Sequence, residues 1–141
     1  LSRSGGQTTT VCWALMKAGL GVSTAIHIGS EPILGMTFAE LLTLFEKDHE
    51  TKAVALFGEI GTVAEEEAAE IIREKAFTKP LVAYVAGATA QPGIRFSHAS
   101  AIIERGRGSA QSKIKALEDA GAHVVDKPEE LAPTVAKILG Q

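Results

Sequence analysis

The chain has little of several things, and each shortage removes a class of function. Of its 141 residues one is cysteine, Cys12, so no internal disulfide can form and a reducing compartment is expected. Cys12 falls in an apolar helical pattern and reads as an inert buried thiol. Aromatic residues make up only 5% of the chain, and no Ser/Thr-rich phosphate loop follows the first full strand, which argues against a flavin-binding domain. No apolar run reaches the roughly 18 residues of a membrane span, and no basic-then-apolar signal segment opens the sequence. The formal net charge is −3 with Lys and Arg scattered, so there is no electrostatic footprint for nucleic acid. No internal repeat or low-complexity tract is present, and no pair of histidines has metal-ligand spacing.

What remains is an ordinary globular composition, 45% hydrophobic and 22% charged, long enough for one domain with a sizeable core and too short for two. Continuous apolar stretches at 53–57 and 81–86 read as parallel strands buried on both faces. Residues 24–28 and 122–125 read as shorter buried strands. Helical patterns alternate with them. Ser4 to Gln7, Thr37 to Glu40 and Thr62 to Glu65 have the form of capping boxes, Ser109 can cap a fourth helix, and Pro128 enters a fifth. Val11, Cys12, Leu15 and Met16 are expected inward on the first helix, and Leu41, Leu42, Leu44 and Phe45 on the second. The chain opens at Leu1 on turn-and-cap residues, so a further strand is expected before Ser2, and with it a cut or partial chain. Strand–helix alternation with short links predicts an α/β fold: a flavodoxin-like, doubly wound parallel sheet in three α/β/α layers, one domain over 1–141.

In open α/β sheets, ligands bind at the carboxyl ends of the strands. The segments expected there are Ser2-Arg3-Ser4-Gly5-Gly6, Gly29-Ser30-Glu31-Pro32, Gly58-Glu59-Ile60-Gly61, and a long connection around His98. Connections in compact domains usually run about 4–6 residues, and a much longer one is more often functional. A neutral imidazole can attack a phosphoryl group with one nitrogen if a carboxylate holds the proton on the other. Glu59 is the candidate holder. Ser2 and Ser4, with the Gly5 and Gly6 amides at a helix N-terminus, could receive the phosphoryl oxygens. Spacing alone leaves the plainer alternatives open: a solvated loop histidine, a locally paired Glu59, and ordinary capping by Ser4. His27 is expected inside a buried strand, and the Glu65-Glu66-Glu67 run reads as a favourable acidic first helical turn.

Ser2-Arg3-Ser4-Gly5, Ile28-Gly29-Ser30-Glu31-Pro32, Gly58-Glu59-Ile60-Gly61 with Ala64-Glu65-Glu66-Glu67-Ala68-Ala69, Lys79-Pro80, and His98-Ala99-Ser100-Ala101-Ile102-Ile103 stand in an order that resembles the succinyl-CoA synthetase α subunit. The chain is similar to that subunit's C-terminal phosphohistidine domain over essentially its whole length, a domain shared with ATP-citrate lyase and malate–CoA ligase. The resemblance implies that His98 is phosphorylated by ATP or GTP, with Mg²⁺, from a separate ATP-grasp β subunit. The phosphoryl group then passes to a carboxylic acid, and CoA captures the acyl phosphate. It implies that Glu59 orients His98, that Ser2, Ser4 and Gly5 bind the phosphoryl group, and that Gly29 lies near the acyl substrate. It also implies partnership with an N-terminal CoA-binding Rossmann domain absent from this chain, no nucleic-acid or membrane partner, and a cytoplasmic location, or the mitochondrial matrix in a eukaryote. Two departures stand out. Ser97 and Ser100 flank His98 where the family has glycine, and Gly-Gly-Asp-Pro has become Gly29-Ser30-Glu31-Pro32. The alternatives to a succinate ligase are a ligase for malate or citrate and a non-catalytic homologue acting in assembly or regulation.

Overall fold

The nearly unbroken apolar stretches form the middle of the sheet. The computed structural model describes residues 1–31, 33–87 and 108–141. Strands β1 (Val54–Glu59) and β2 (Leu81–Ala86) run parallel, in register from Val54 opposite Leu81 to Glu59 opposite Ala86. Beyond β2 lies the short parallel β3 (His123–Val124). On the other side of β1, Ser2 makes isolated parallel bridges to both Phe57 and His27. Taken in chain order, the extended segments around Ser2, around His27, and β1, β2 and β3 lie across the sheet as 2-1-3-4-5. That is the flavodoxin-like order, and it confirms the expected fold class.

Side chains alternate strictly across the two faces of the central strands, as the period of two requires. Val54 and Leu56 of β1, with Leu81, Ala83 and Val85 of β2, face helices α2 (Phe38–Lys47), α3 (Ala64–Arg73) and α4 (Ala110–Asp119). Phe57, Ala55, Val82 and Tyr84 face α1 (Gly5–Lys17) and α5 (Leu131–Ile138). The sheet is thus covered on both sides. Phe38, Leu42, Leu56 and Leu117 are fully buried in the first cluster, and burial of each such side chain contributes about 1.5–3 kcal/mol.

Local signals explain most helix ends. Thr37 and Glu40 complete a reciprocal capping box on α2, Ser109 caps α4 through the Ser112 amide, and Gly19 leaves α1 at φ +81°. Pro128 opens a 3₁₀ turn (Pro128–Glu130) that leads into α5.

Six expectations are corrected. The Thr62–Glu65 box does not form: Val63 is the N-cap of α3 without a side-chain cap, because Thr62 sits at φ +53° and the Glu65 side chain is drawn under β1. Residues 24–28 make only a bridge at His27, and His27 is exposed rather than buried. Leu44 and Met16 point outward, since α2 and α1 each cover the sheet with a narrower stripe than their leucine and methionine content suggests. Cys12 is half-buried.

Candidate functional site

The order 2-1-3-4-5 places a topological switch point between the Ser2 segment and β1, and open α/β sheets bind ligands in the crevice there. Ser2 itself is buried in the sheet. Its hydroxyl donates to the Ser4 carbonyl and accepts from the Ser4 amide, both at 2.9 Å, closing the turn that launches α1. Ser4 is the α1 N-cap, and its Oγ accepts the Gln7 amide at 3.4 Å. The Gly5 and Gly6 amides find no acceptor among the described residues, and nothing lies within 4 Å of the position a Gly6 Cβ would take. The first turn of α1 therefore presents free N–H groups at the positive end of a 13-residue helix, the arrangement that attracts anions.

Across the switch point, Glu59 ends β1 with its side chain 23% exposed. Its Oε1 accepts a short hydrogen bond from the Ser30 hydroxyl and lies 3.7 Å from Arg3 Nη2. Both described contacts fall on Oε1, which leaves Oε2 for a further donor. Gly29, at φ +80° with open space around its Cα, makes the turn that aims Ser30 back at Glu59. The requirement for glycine there is conformational and not steric.

Beneath Glu59 is a set of charges that the sequence did not reveal as a unit. Arg3 is buried, and its Nη1 donates to the carbonyls of Glu59, Ile60 and Gly61 at 3.2, 3.3 and 2.7 Å. Glu65 and Lys113 are both 0% exposed. The Lys113 ammonium contacts the Glu65 carboxylate directly and Glu66 Oε2 at 3.0 Å. Glu65 Oε1 accepts the Glu59 amide at 3.0 Å, and Glu66 Oε1 accepts the Gly108 amide and the Ser112 hydroxyl, both at 2.9 Å. Burial opposes ionisation of Glu66 and is the largest single influence on it. The Gly108 amide, the Lys113 ammonium and the Ser112 hydroxyl together outweigh it, so the Glu66 pKa lies below the ordinary glutamate value. The acidic run does form the first turn of α3, as expected, and two of its members, Glu65 and Glu66, also belong to an internal ion cluster. Its signal was the lysine 47 residues after Glu66, visible only once α4 packs beside α3.

Of the residues singled out from sequence, Ser2, Ser4, Gly5, Gly29 and Glu59 gather at the switch point. His98, with Ser97 and Ser100, lies outside the described residues. His27 joins the group without having been expected: its ring lies 3.7 Å from where a Gly5 Cβ would be, beside the α1 N-terminus. A cavity of about 490 Å³ between Leu15, Leu20, Ala53 and Leu139 sits at the opposite, amino-terminal end of β1 and does not coincide with these polar groups. Among the described residues, no cluster of His, Cys, Asp or Glu is placed to hold a metal ion, and no helix is long and apolar enough to cross a membrane.

Comparison with known proteins gives the family. The chain is 58% identical over 139 residues to the succinate–CoA ligase [ADP-forming] subunit alpha 2 of Archaeoglobus fulgidus, covering 99% of this chain and 48% of that protein. It is 47% identical to an ADP-forming sulfoacetate–CoA ligase subunit of an Acholeplasma species, covering 98% and 47%. The chain spans about half the length of these relatives. Among solved structures, ATP citrate lyase of Methanosaeta concilii in complex with (3S)-citryl-CoA superposes with a TM-score of 0.87 at 28% identity, over 98% of this chain and 23% of that one. A family model for CoA-ligase matches residues 1–123, and the chain belongs to the CoA-ligase family.

Proposed function

We propose that this chain is the phosphohistidine domain of a nucleoside-diphosphate-forming acid–CoA ligase, with His98 as the phosphoryl carrier. The observation that best supports the reading is Glu59 at the switch point: its Oε1 is held by Ser30 and Arg3, its Oε2 is available, and the open N-terminus of α1 faces the same crevice. In the proposed cycle, one imidazole nitrogen of His98 attacks the γ-phosphorus of the nucleotide. The bond from phosphorus to the β,γ-bridging oxygen breaks and the diphosphate departs. Glu59 holds the proton on the other imidazole nitrogen and so keeps the attacking lone pair aimed. The Ser4 hydroxyl and the Gly5 and Gly6 amides receive the phosphoryl oxygens, and Ser2 shapes the turn that presents them. Most of what phosphoryl transfer needs is such positioning and charge stabilisation.

The phosphoryl group then moves to the carboxylate of the acid substrate, and the CoA thiol displaces phosphate to give the thioester. Nucleotide and Mg²⁺ are assigned to an ATP-grasp β subunit and CoA to an N-terminal Rossmann domain, so this domain acts only with those partners. The relatives' names include succinate, sulfoacetate and citryl substrates. All carry a second anionic group, and we assign this chain an acid of that class acting near Gly29. The test is incubation with a cognate ATP-grasp β subunit and radiolabelled ATP. An acid-labile label that is lost in His98→Ala supports the reading, and one that survives the substitution overturns it.

The reading from another class is a non-catalytic homologue in assembly or regulation. It is favoured by Ser97 and Ser100, which replace the family's glycines beside His98. Restoring glycine at both positions discriminates: an already competent ligase gains little, whereas a silenced one gains labelling.

A further inference from the structure

We infer that Lys113, on α4, is a positioning residue for the phosphoryl-transfer site, acting on Glu59 through Glu65 and on Gly108 through Glu66. The inference rests on the reading of Glu59 as the carboxylate that orients the phosphorylated histidine.

Arg3, Lys113, Glu65 and Glu66 are all buried, and their formal charges cancel. Glu59, at the partly exposed end of the set, is therefore left with a full negative charge for a donor in the crevice. A lysine with no exposed surface is rare unless paired. Replacing a buried ion pair by well-packed apolar groups is often neutral or stabilising, so such a pair is weak evidence for stability alone. What it does specify is geometry. Lys113 stands between two carboxylates that would otherwise repel, and it fixes which oxygen of each faces outward. Glu65 then meets the Glu59 amide at 3.0 Å, and Glu66 meets the Gly108 amide at 2.9 Å.

The neighbouring backbone is shaped to this arrangement. A Cβ on Gly58 would lie 2.7 Å from Glu65 Oε1, so β1 carries glycine at the point where that carboxylate passes beneath it. Gly61 donates to the Gly108 carbonyl at 2.8 Å, and Arg3 binds three successive carbonyls from Glu59 to Gly61. Thr62 follows at φ +53°, a conformation that a β-branched residue adopts only when its surroundings impose it. Lys113 thus joins the end of β1, which carries Glu59, to Gly108 at the start of the turn before α4.

The test compares Lys113→Met and the double variant Lys113→Met/Glu66→Gln with the wild type, each assembled with the ATP-grasp β subunit. The double variant keeps the charge balance, because it removes one charge of each sign. It also keeps an acceptor for the Gly108 amide, but Glu65 loses its Lys113 contact, so labelling is expressed per folded protein. Single-turnover labelling by radiolabelled ATP is measured over a range of nucleotide concentrations, with thermal unfolding measured in parallel. The expected result for the double variant is a labelling rate per folded protein at least ten-fold lower, half-saturating nucleotide within two-fold of wild type, and an unfolding midpoint still above the assay temperature. A double variant that labels at the wild-type rate overturns the inference alone. So does a loss of rate that merely follows the loss of folded protein. A wild type that takes no label overturns the phosphohistidine reading and the inference with it.

Discussion

The Ser30 hydroxyl donates to the carboxylate of Glu59 across the switch point, joining two loops 29 residues apart in the chain. On the proposed reading the first segment lies near the acyl substrate and Glu59 orients the phosphorylated histidine, and this hydrogen bond would couple the two. Ser30→Ala is expected to cost about 1 kcal/mol of transition-state positioning, roughly five-fold in the labelling rate. Folding stability should change by less than about 0.5 kcal/mol, as for most surface substitutions. Ser30→Thr retains the hydroxyl and should retain the rate. Single-turnover labelling together with denaturant unfolding of the three proteins checks this.

Two glycines should respond oppositely to alanine. At Gly58 the new methyl would lie 2.7 Å from a buried carboxylate oxygen of Glu65, and overpacking of this kind costs about 1–3 kcal/mol. At Gly6 nothing lies within 4 Å, and the residue is helical. Gly6→Ala should stabilise the fold by about 0.5 kcal/mol through reduced freedom of the unfolded chain. Urea midpoints of the two variants decide the point.

Thr62 carries strain that a better-suited residue can relieve. Its φ of +53° is costly for a β-branched side chain. Asparagine tolerates that region and keeps a side-chain acceptor for the Ala64 amide, which Thr62 Oγ1 now receives at 3.5 Å. Thr62→Asn should raise stability by about 0.5–1 kcal/mol, read as an upward shift of the thermal midpoint.

Acid should weaken the fold through Glu66. Its folded-state pKa lies below the ordinary value near 4.5. Its contribution is therefore fully present above that value and is lost as pH falls through the lower, folded-state value. Glu46, held down first by the Thr78 amide and then by the Thr78 hydroxyl, and Asp48, held down first by the Thr51 hydroxyl, act in the same direction. Glu66→Gln should lower stability at pH 7 and flatten the part of the acid limb below about pH 4.5. Unfolding free energies measured from pH 7 to pH 3 for the wild type and the variant check the sign.

Much of the sheet was legible because β1 and β2 are buried on both faces and show it as unbroken apolar runs. The helices next to them carry their own start signals at Ser4, Thr37 and Ser109. What was not legible depended on partners distant in the chain. Glu65 and Glu66 do stand in the acidic first turn of α3, but their burial against Lys113 shows only once α4 is brought beside them. His27 sits in an apolar stretch that suggests burial, yet the sheet ends beside it and the ring faces the α1 N-terminus. The placement of the candidate residues was readable as a set of loops at strand ends, since Ser2, Ser4, Gly29 and Glu59 converge wherever a parallel sheet is wound in this order. How Glu59 is held, by Ser30 outside and Arg3 within, needed the folded chain.

Locating the phosphoryl group decides whether His98 is the carrier. The wild-type protein, assembled with its ATP-grasp β subunit and its N-terminal CoA-binding domain, is exposed briefly to radiolabelled ATP, quenched in base and mapped by peptide. An acid-labile label is expected on the peptide that contains His98, discharged when a dianionic acid such as succinate is added together with CoA. An acid-stable label on a serine or threonine, or a label on His98 that these substrates do not discharge, overturns the assignment of His98.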